Sequence, residues 1–166
     1  TPEILKIALQ VRPDEVCLVP EHRQEVTTEG GLAVAGREAE LGETIKRLQG
    51  AGIRVSLFIE PDFAQIDAAH ALHADMVELH TGAFANAQGD AQRAHFEQLL
   101  KASTHAFAAG LQVNAGHGIN YENIALIRDV AHLADLNIGH SIVSRAVFTG
   151  LEKAVREMLD LMGAME

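Results

Sequence analysis

The sequence predicts an α/β fold built on a parallel sheet, and three observations carry that reading. Short apolar runs alternate with amphipathic stretches of helical length. The alternation recurs at roughly 33 residues, the length of a βα unit. Two successive apolar runs end in Gly-His, at Leu111-Gln-Val-Asn-Ala-Gly-His-Gly118 and Leu136-Asn-Ile-Gly-His-Ser141. In parallel α/β proteins ligands bind at the carboxyl ends of strands, so function is expected at these two termini.

Taken in order, Ile4, Leu5, Ala8 and Leu9 have helical spacing between Pro2 and Arg12, and Pro13-Asp14 ends that helix. Glu15-Val-Cys-Leu-Val-Pro20 reads as a short strand. The polar stretch Glu21 to Gly31 has no periodicity and closes on two glycines, which suits a lid loop. Gly36 to Gly52 is expected as a helix with Leu41, Ile45 and Leu48 on one face. Ile53 to Glu60 is the next strand, and Pro61-Asp62 opens a helix through Ile66, Ala69 and Leu72. Met76-Val-Glu-Leu-His80 is a strand. After the turn Thr81-Gly82 and a short loop, Asp90 is expected to cap a helix reaching about Ala109, closed by Gly110. The Leu111 strand follows, then a helix over about Asn120 to Leu133, the Leu136 strand, a short helix from Ser141 to Phe148 and a last one from Leu151 to Met162.

At 166 residues and 48% hydrophobic, the chain can bury one core and no more, so residues 1–166 are expected to form a single domain. No apolar run approaches the roughly 20 residues of a membrane-spanning helix, and the first residues do not read as a signal peptide, which makes the cytoplasm the default compartment. Cys17 is the single cysteine, which excludes intrachain disulfides and multi-cysteine zinc sites, and it is expected as a small core side chain. A net charge of −10 argues against a nucleic-acid partner. It leaves room for a small anion, since backbone N–H groups at a helix N-terminus hold phosphate even in an acidic protein.

Five strands fit either a complete doubly wound sheet or part of a (β/α)8 barrel, which ordinarily needs about 250 residues. The longer motifs favour the barrel. Val19-Pro-Glu-His-Arg-Gln-Glu-Val-Thr-Thr-Glu-Gly-Gly31, Val55-Ser-Leu-Phe-Ile59, Glu78-Leu-His-Thr-Gly82, Val113-Asn-Ala-Gly-His-Gly118 and Leu136-Asn-Ile-Gly-His140 together resemble the pyridoxine 5′-phosphate synthase family, from the first residue essentially to the last. The resemblance implies a TIM (β/α)8 barrel of which this chain supplies strands four to eight, a C-terminal portion lacking the first three βα units. A start on a helix without an initiator Met agrees with that expectation.

The same resemblance implies roles for matching positions. His117 corresponds to a proton-donating histidine and Glu78 to a carboxylate that stabilises the transition state. Thr27 corresponds to a contact for 1-deoxy-D-xylulose 5-phosphate, and Gly118, Gly139 and His140 to contacts for 3-amino-2-oxopropyl phosphate. Two further proton acceptors of the family would lie outside this chain. No cofactor or metal is implied, the partners are phosphorylated small molecules, and a cytoplasmic homo-octamer is expected.

The residues themselves point the same way with less detail. A histidine between two glycines at a strand end, as His117 is, can donate or accept protons near neutrality, and this reading is preferred to a loop histidine that only hydrogen-bonds. His140 could act merely as a helix cap. Glu78 and His80 are two apart on one strand and share a face, where a carboxylate is costly unless functional or paired with a neighbouring strand. His70, His73, His95, His105 and His132 fall on predicted helices and read as surface residues. The loops at Gly116-His-Gly118 and Gly139-His-Ser141, with the short helix after them, suit a phosphate. Lys6, Lys46, Lys101 and Lys153 all fall on predicted helices, which disfavours imine chemistry on an enzyme lysine. Two rival readings stay open: a metal-dependent hydrolase or epimerase using His80, His117 and His140, and an inactive phosphate-binding piece.

Overall fold

The computed structural model describes residues 1–20 and 30–163. Its centre is one sheet of five parallel strands: β1 (Glu15–Leu18), β2 (Arg54–Ile59), β3 (Met76–His80), β4 (Gln112–Gly116) and β5 (Leu133–Asn137). The strands lie side by side in chain order, each pairing only with its sequence neighbours. A doubly wound sheet would reverse its strand order at a switch point, and no reversal occurs here. Among the described residues β1 and β5 each have one partner, so both edges are open, as expected for the strands around Val16 and Leu136.

The helices form where capping and apolar spacing agree. Thr1 caps α1 (Pro2–Val11), with Pro2 in its first turn, and the chain leaves through Arg12 in the left-handed region just before Pro13. Asp62 caps α3 (Phe63–Ala71) by accepting from the N–H groups of Ala64 and Gln65. Leu41, Ile45 and Leu48 of α2 (Glu38–Gly50) pack on the sheet, as do Ile66 and Ala69 of α3. The short α4 (Gly82–Asn86) precedes α5 (Gly89–Ala108), which buries Leu99, Ala102 and Ala106. After β4 comes α6 (Ile124–Ile127), and α7 (His140–Thr149) and α8 (Leu151–Met162) follow β5.

Three expectations need correction. The helix expected over Asn120 to Leu133 is the single turn α6, and Leu133 already belongs to β5, because the Asn120 and Asn123 side chains tie up local backbone N–H groups in turns. Asp90 does not cap α5; Gln88 holds that position and Asp90 lies in the first turn, where its charge suits the helix dipole. His73 and His132 are not helical but occupy left-handed turn positions.

The two faces of the sheet differ in chemistry. Val55, Leu57, Ile59, Val77, Leu79 and Val113 point to the helices and form the hydrophobic core. The alternate residues, Cys17, Ser56, Phe58, Met76, Glu78, His80, Asn114 and Asn137, share the other face, which is mostly polar. That polar face is concave. Glu78 Oε2, on the central strand, accepts from Cys17 Sγ of β1 at 3.6 Å and from Asn137 Nδ2 of β5 at 2.7 Å. In a flat sheet the first and fifth strands would stand about 19 Å apart, too far for two such short side chains to reach one oxygen.

Candidate active site

The site lies at the carboxyl ends of β3 and β4. Glu78 and His80 sit two residues apart on β3 and are both buried. Burial pushes the Glu78 carboxyl above the usual carboxylate range, opposed by the hydrogen bonds from Asn137 and Cys17 and by the nearby His80. The ion pair with a neighbouring strand that the sequence allowed for Glu78 does not form among the described residues, and neutral donors take its place. Cys17 is not a core side chain. It lies at the open β1 edge with its sulfur turned toward Glu78, and desolvation, reinforced by that carboxylate, pushes its thiol up to about 12, so it stays a protonated donor.

His80 has the charged neighbour instead. Its Nδ1 lies 2.7 Å from Glu60 Oε1, just past the end of β2, and the same oxygen accepts the Gly31 N–H at 2.7 Å. Glu60 is held below the usual carboxylate range, first by His80. Phe58 meets the His80 ring edge-on at 5.1 Å, and His80 Nε2 is buried without a hydrogen-bond partner among the described residues. Gly31 has to be glycine: a Cβ there would fall 2.3 Å from the Glu60 nitrogen.

His117 follows β4 directly, with φ 81, a left-handed conformation that is uncommon for a residue with a Cβ. Thr81 holds it there. The buried Thr81 hydroxyl donates to Gly116 O at 2.9 Å and lies against His117 O, while the Thr81 N–H also donates to Gly116 O at 2.9 Å. Close packing demands the surrounding glycines: a Cβ on Gly82 would sit 2.5 Å from His80 Nε2, and one on Gly116 would sit 2.1 Å from Glu78 Oε1. Desolvation, then the charges of His80 and His140, push the His117 imidazole below its ordinary value. Neutral His117 is therefore favoured at pH 7, ready to take up a proton and pass it on.

The remaining expected residues separate into two groups. Gly118, with φ 75, continues the His117 turn, and Asn123 Nδ2 anchors its carbonyl at 3.0 Å. Gly139 and the exposed His140 begin α7, and Ser141 Oγ ties that helix start to Ile119 O at 2.8 Å, so the two Gly-His loops are joined. Thr27, like most of the expected lid, lies outside the described residues. His80, His117 and His140 do not form a metal-holding group; among the described residues no three His, Cys, Asp or Glu side chains do. All four lysines are on helices, as expected. No helix among the described residues is long and apolar enough to cross a membrane.

The comparisons with known proteins agree with this geometry. The family described as pyridoxal phosphate biosynthesis protein PdxJ matches residues 1–164. The chain belongs to the PdxJ family. It is 52% identical over 160 residues to pyridoxine 5′-phosphate synthase of Opitutus terrae, covering 95% of this chain and 64% of that protein. It is 54% identical over 164 residues to the enzyme of the same name from a Synechococcus species, covering 98% of this chain and 69% of the relative. The chain thus spans about two thirds of the length of the PdxJ relatives it matches. In fold it is similar to a xylose isomerase domain protein from Planctomyces limnophilus, at 15% identity and a TM-score of 0.55, over 93% of this chain and 64% of that one.

Sequence reasoning singled out Thr27, Glu78, His117, Gly118, Gly139 and His140, and noted His80 as sharing a face with Glu78 and as a possible metal ligand. It did not find Asn137, Glu60 or Thr81. Alternation on β5 could have pointed to Asn137, which shares a face with Asp135.

Proposed function

We propose that this chain carries the chemistry of pyridoxine 5′-phosphate synthase, condensing 3-amino-2-oxopropyl phosphate with 1-deoxy-D-xylulose 5-phosphate to pyridoxine 5′-phosphate with release of phosphate and water. The observation that carries the reading is a buried carboxylate and a glycine-flanked histidine at adjacent strand ends, in a chain matched to the PdxJ family over residues 1–164. The substrate amine attacks the ketone of the sugar phosphate, so the nitrogen nucleophile comes from the substrate. The protein's task is then to orient two phosphorylated molecules and move protons between them.

In this reading His117 delivers protons as phosphate and water leave, and Glu78 stabilises the positive charge that develops on the condensing nitrogen. Gly118, Gly139 and His140 bind 3-amino-2-oxopropyl phosphate, with the N–H groups at the start of α7 directed at its phosphate. Thr27 contacts 1-deoxy-D-xylulose 5-phosphate. The parallel strands in chain order and the concave polar face support a (β/α)8 barrel in which β1 to β5 are strands four to eight and residues 1–166 are the C-terminal part of one domain. A cytoplasmic homo-octamer belongs to the same proposal. The test is incubation of the complete barrel, these residues together with the βα units that supply strands one to three, with both substrates, following pyridoxine 5′-phosphate and released phosphate. Formation of the two in equal amounts is expected, and no product at any protein concentration would overturn the reading.

A further inference from the structure

Glu78 is gripped on one oxygen and open on the other. Oε2 accepts from Asn137 Nδ2 at 2.7 Å and from Cys17 Sγ at 3.6 Å. Oε1 accepts no hydrogen bond from any described residue, and it lies above Gly116, where even a Cβ would come within 2.1 Å. Gly116 immediately precedes His117, so the open oxygen is the one on the side of the proton-transfer residue. We propose that Asn137, assisted by Cys17, is a positioning residue that fixes Oε2 of Glu78 and so presents Oε1 to the reacting molecule. The proposal deepens the functional reading above and rests on it for the identity of that molecule.

The chemistry of the two donors suits the role. An amide N–H directed at a carboxylate favours its charged form, and a thiol that stays protonated can only donate to it. The ionisable groups facing Glu78 are few. Cys17 and Glu15 share its face from β1, Arg54 from β2 with Glu60 just past that strand's end, His80 from its own strand and Asp135 from β5, while Ser56, Phe58 and Asn114 on the same face do not titrate. Of these, His80 acts on the Glu78 titration through its charge and Cys17 through its hydrogen bond. Both remain in place when Asn137 alone is changed, so a shift on changing Asn137 reports the lost amide.

The test follows the Glu78 carboxyl by ¹³C NMR in protein labelled with [5-¹³C]glutamate, its signal assigned from Glu78→Gln, alongside the pH profile of turnover. Asn137→Ala should raise the Glu78 midpoint by about 1 pH unit. It should move the acid limb of kcat upward by the same amount and lower kcat about tenfold or more, with KM changed less than about threefold. Asn137→Asp, nearly identical in shape, should raise the midpoint further, which keeps the test open if the alanine variant folds poorly. Cys17→Ser, which keeps a donor, should lose less activity than Cys17→Ala. An unmoved Glu78 midpoint in both Asn137 variants would overturn the proposal. A midpoint that moves in a protein making no pyridoxine 5′-phosphate would uphold the positioning role and sink the functional reading instead.

Discussion

The imidazole rings of His80 and His117 stand 5.0 Å apart, centroid to centroid, tilted by 54°. Two histidines this close cannot both be charged without cost, and the charge of His80 is among the causes that lower the His117 imidazole, after desolvation. His117 is thereby biased toward the neutral state. Proton transfer should run through the His117 ring, with His80 held in place by Glu60.

Replacing His117 with alanine removes the ring proposed to transfer protons without touching the Glu78 contacts. In the complete enzyme it should lower kcat by on the order of 10²–10⁴, with a smaller effect on KM. Steady-state kinetics with both substrates checks this, and near-normal turnover would remove His117 from the mechanism.

Gly116→Ala tests the seat of the carboxylate by sterics alone. Gly116 has an ordinary negative φ, so alanine brings no backbone strain, yet its methyl would land 2.1 Å from Glu78 Oε1 and 3.2 Å from Asn137 Cβ. Glu78 must move. Activity should fall at least about tenfold, since misplacing a catalytic group by about 1 Å costs up to 10². Circular dichroism should stay native-like, and full activity would show that the position of Glu78 does not matter.

Thr81→Val keeps shape but deletes the hydroxyl that bonds Gly116 O and His117 O. A buried acceptor left short of its donor costs about 1–3 kcal/mol, so the midpoint of urea unfolding should fall accordingly. Thr81→Ser should recover most of that loss; equal stability of valine and wild type would argue against the clamp.

The pH dependence of stability has opposite signs for the site's groups. His117 is depressed in the folded protein, so the unfolded chain binds more protons just below the ordinary histidine value near 6.5, and stability is lost as pH falls through that window. Glu60, also depressed, behaves likewise at lower pH, its contribution present above its ordinary value and lost as pH falls through the folded one. Glu78 is raised, so its contribution is greatest at low pH and declines as pH rises past its ordinary value. Chemical denaturation across pH should therefore show Glu78→Gln flattening a loss on the alkaline side of the carboxylate range, and His117→Phe flattening a loss on the acid side of neutrality. The same slopes in wild type and variants would contradict these assignments.

Much of this was legible in the sequence because its signals are local. Short apolar runs found all five strands, though β5 begins at Leu133 rather than Leu136, and the Gly-His pairs follow two of those strands as expected; β3 at Met76–His80 and α8 at Leu151–Met162 begin and end where expected. Contacts between distant strands were not legible. Nothing near Cys17 in the chain reveals Glu78, 61 residues on, and a lone asparagine in a Leu-Asn-Ile-Gly-His run does not declare that it reaches a carboxylate on β3. The Asn120–Asn123 turn also escaped, because an apolar stretch such as Ile124 to Ile127 has helical spacing whether or not side chains have already claimed the backbone.

The shared grip on Glu78 has one more consequence. Its two donors come from strands on opposite sides of β3, so the contact survives only while the sheet keeps its bend. The carboxylate therefore works as a gauge of that bend, and the far face, where Leu57 and Val77 lie in the hydrophobic core, is what backs the strands it spans. A cavity opened there, tens of atoms from any substrate, would let the strands splay and draw Cys17 and Asn137 away together. Distant packing would then reach the chemistry as a change in the acidity of one side chain.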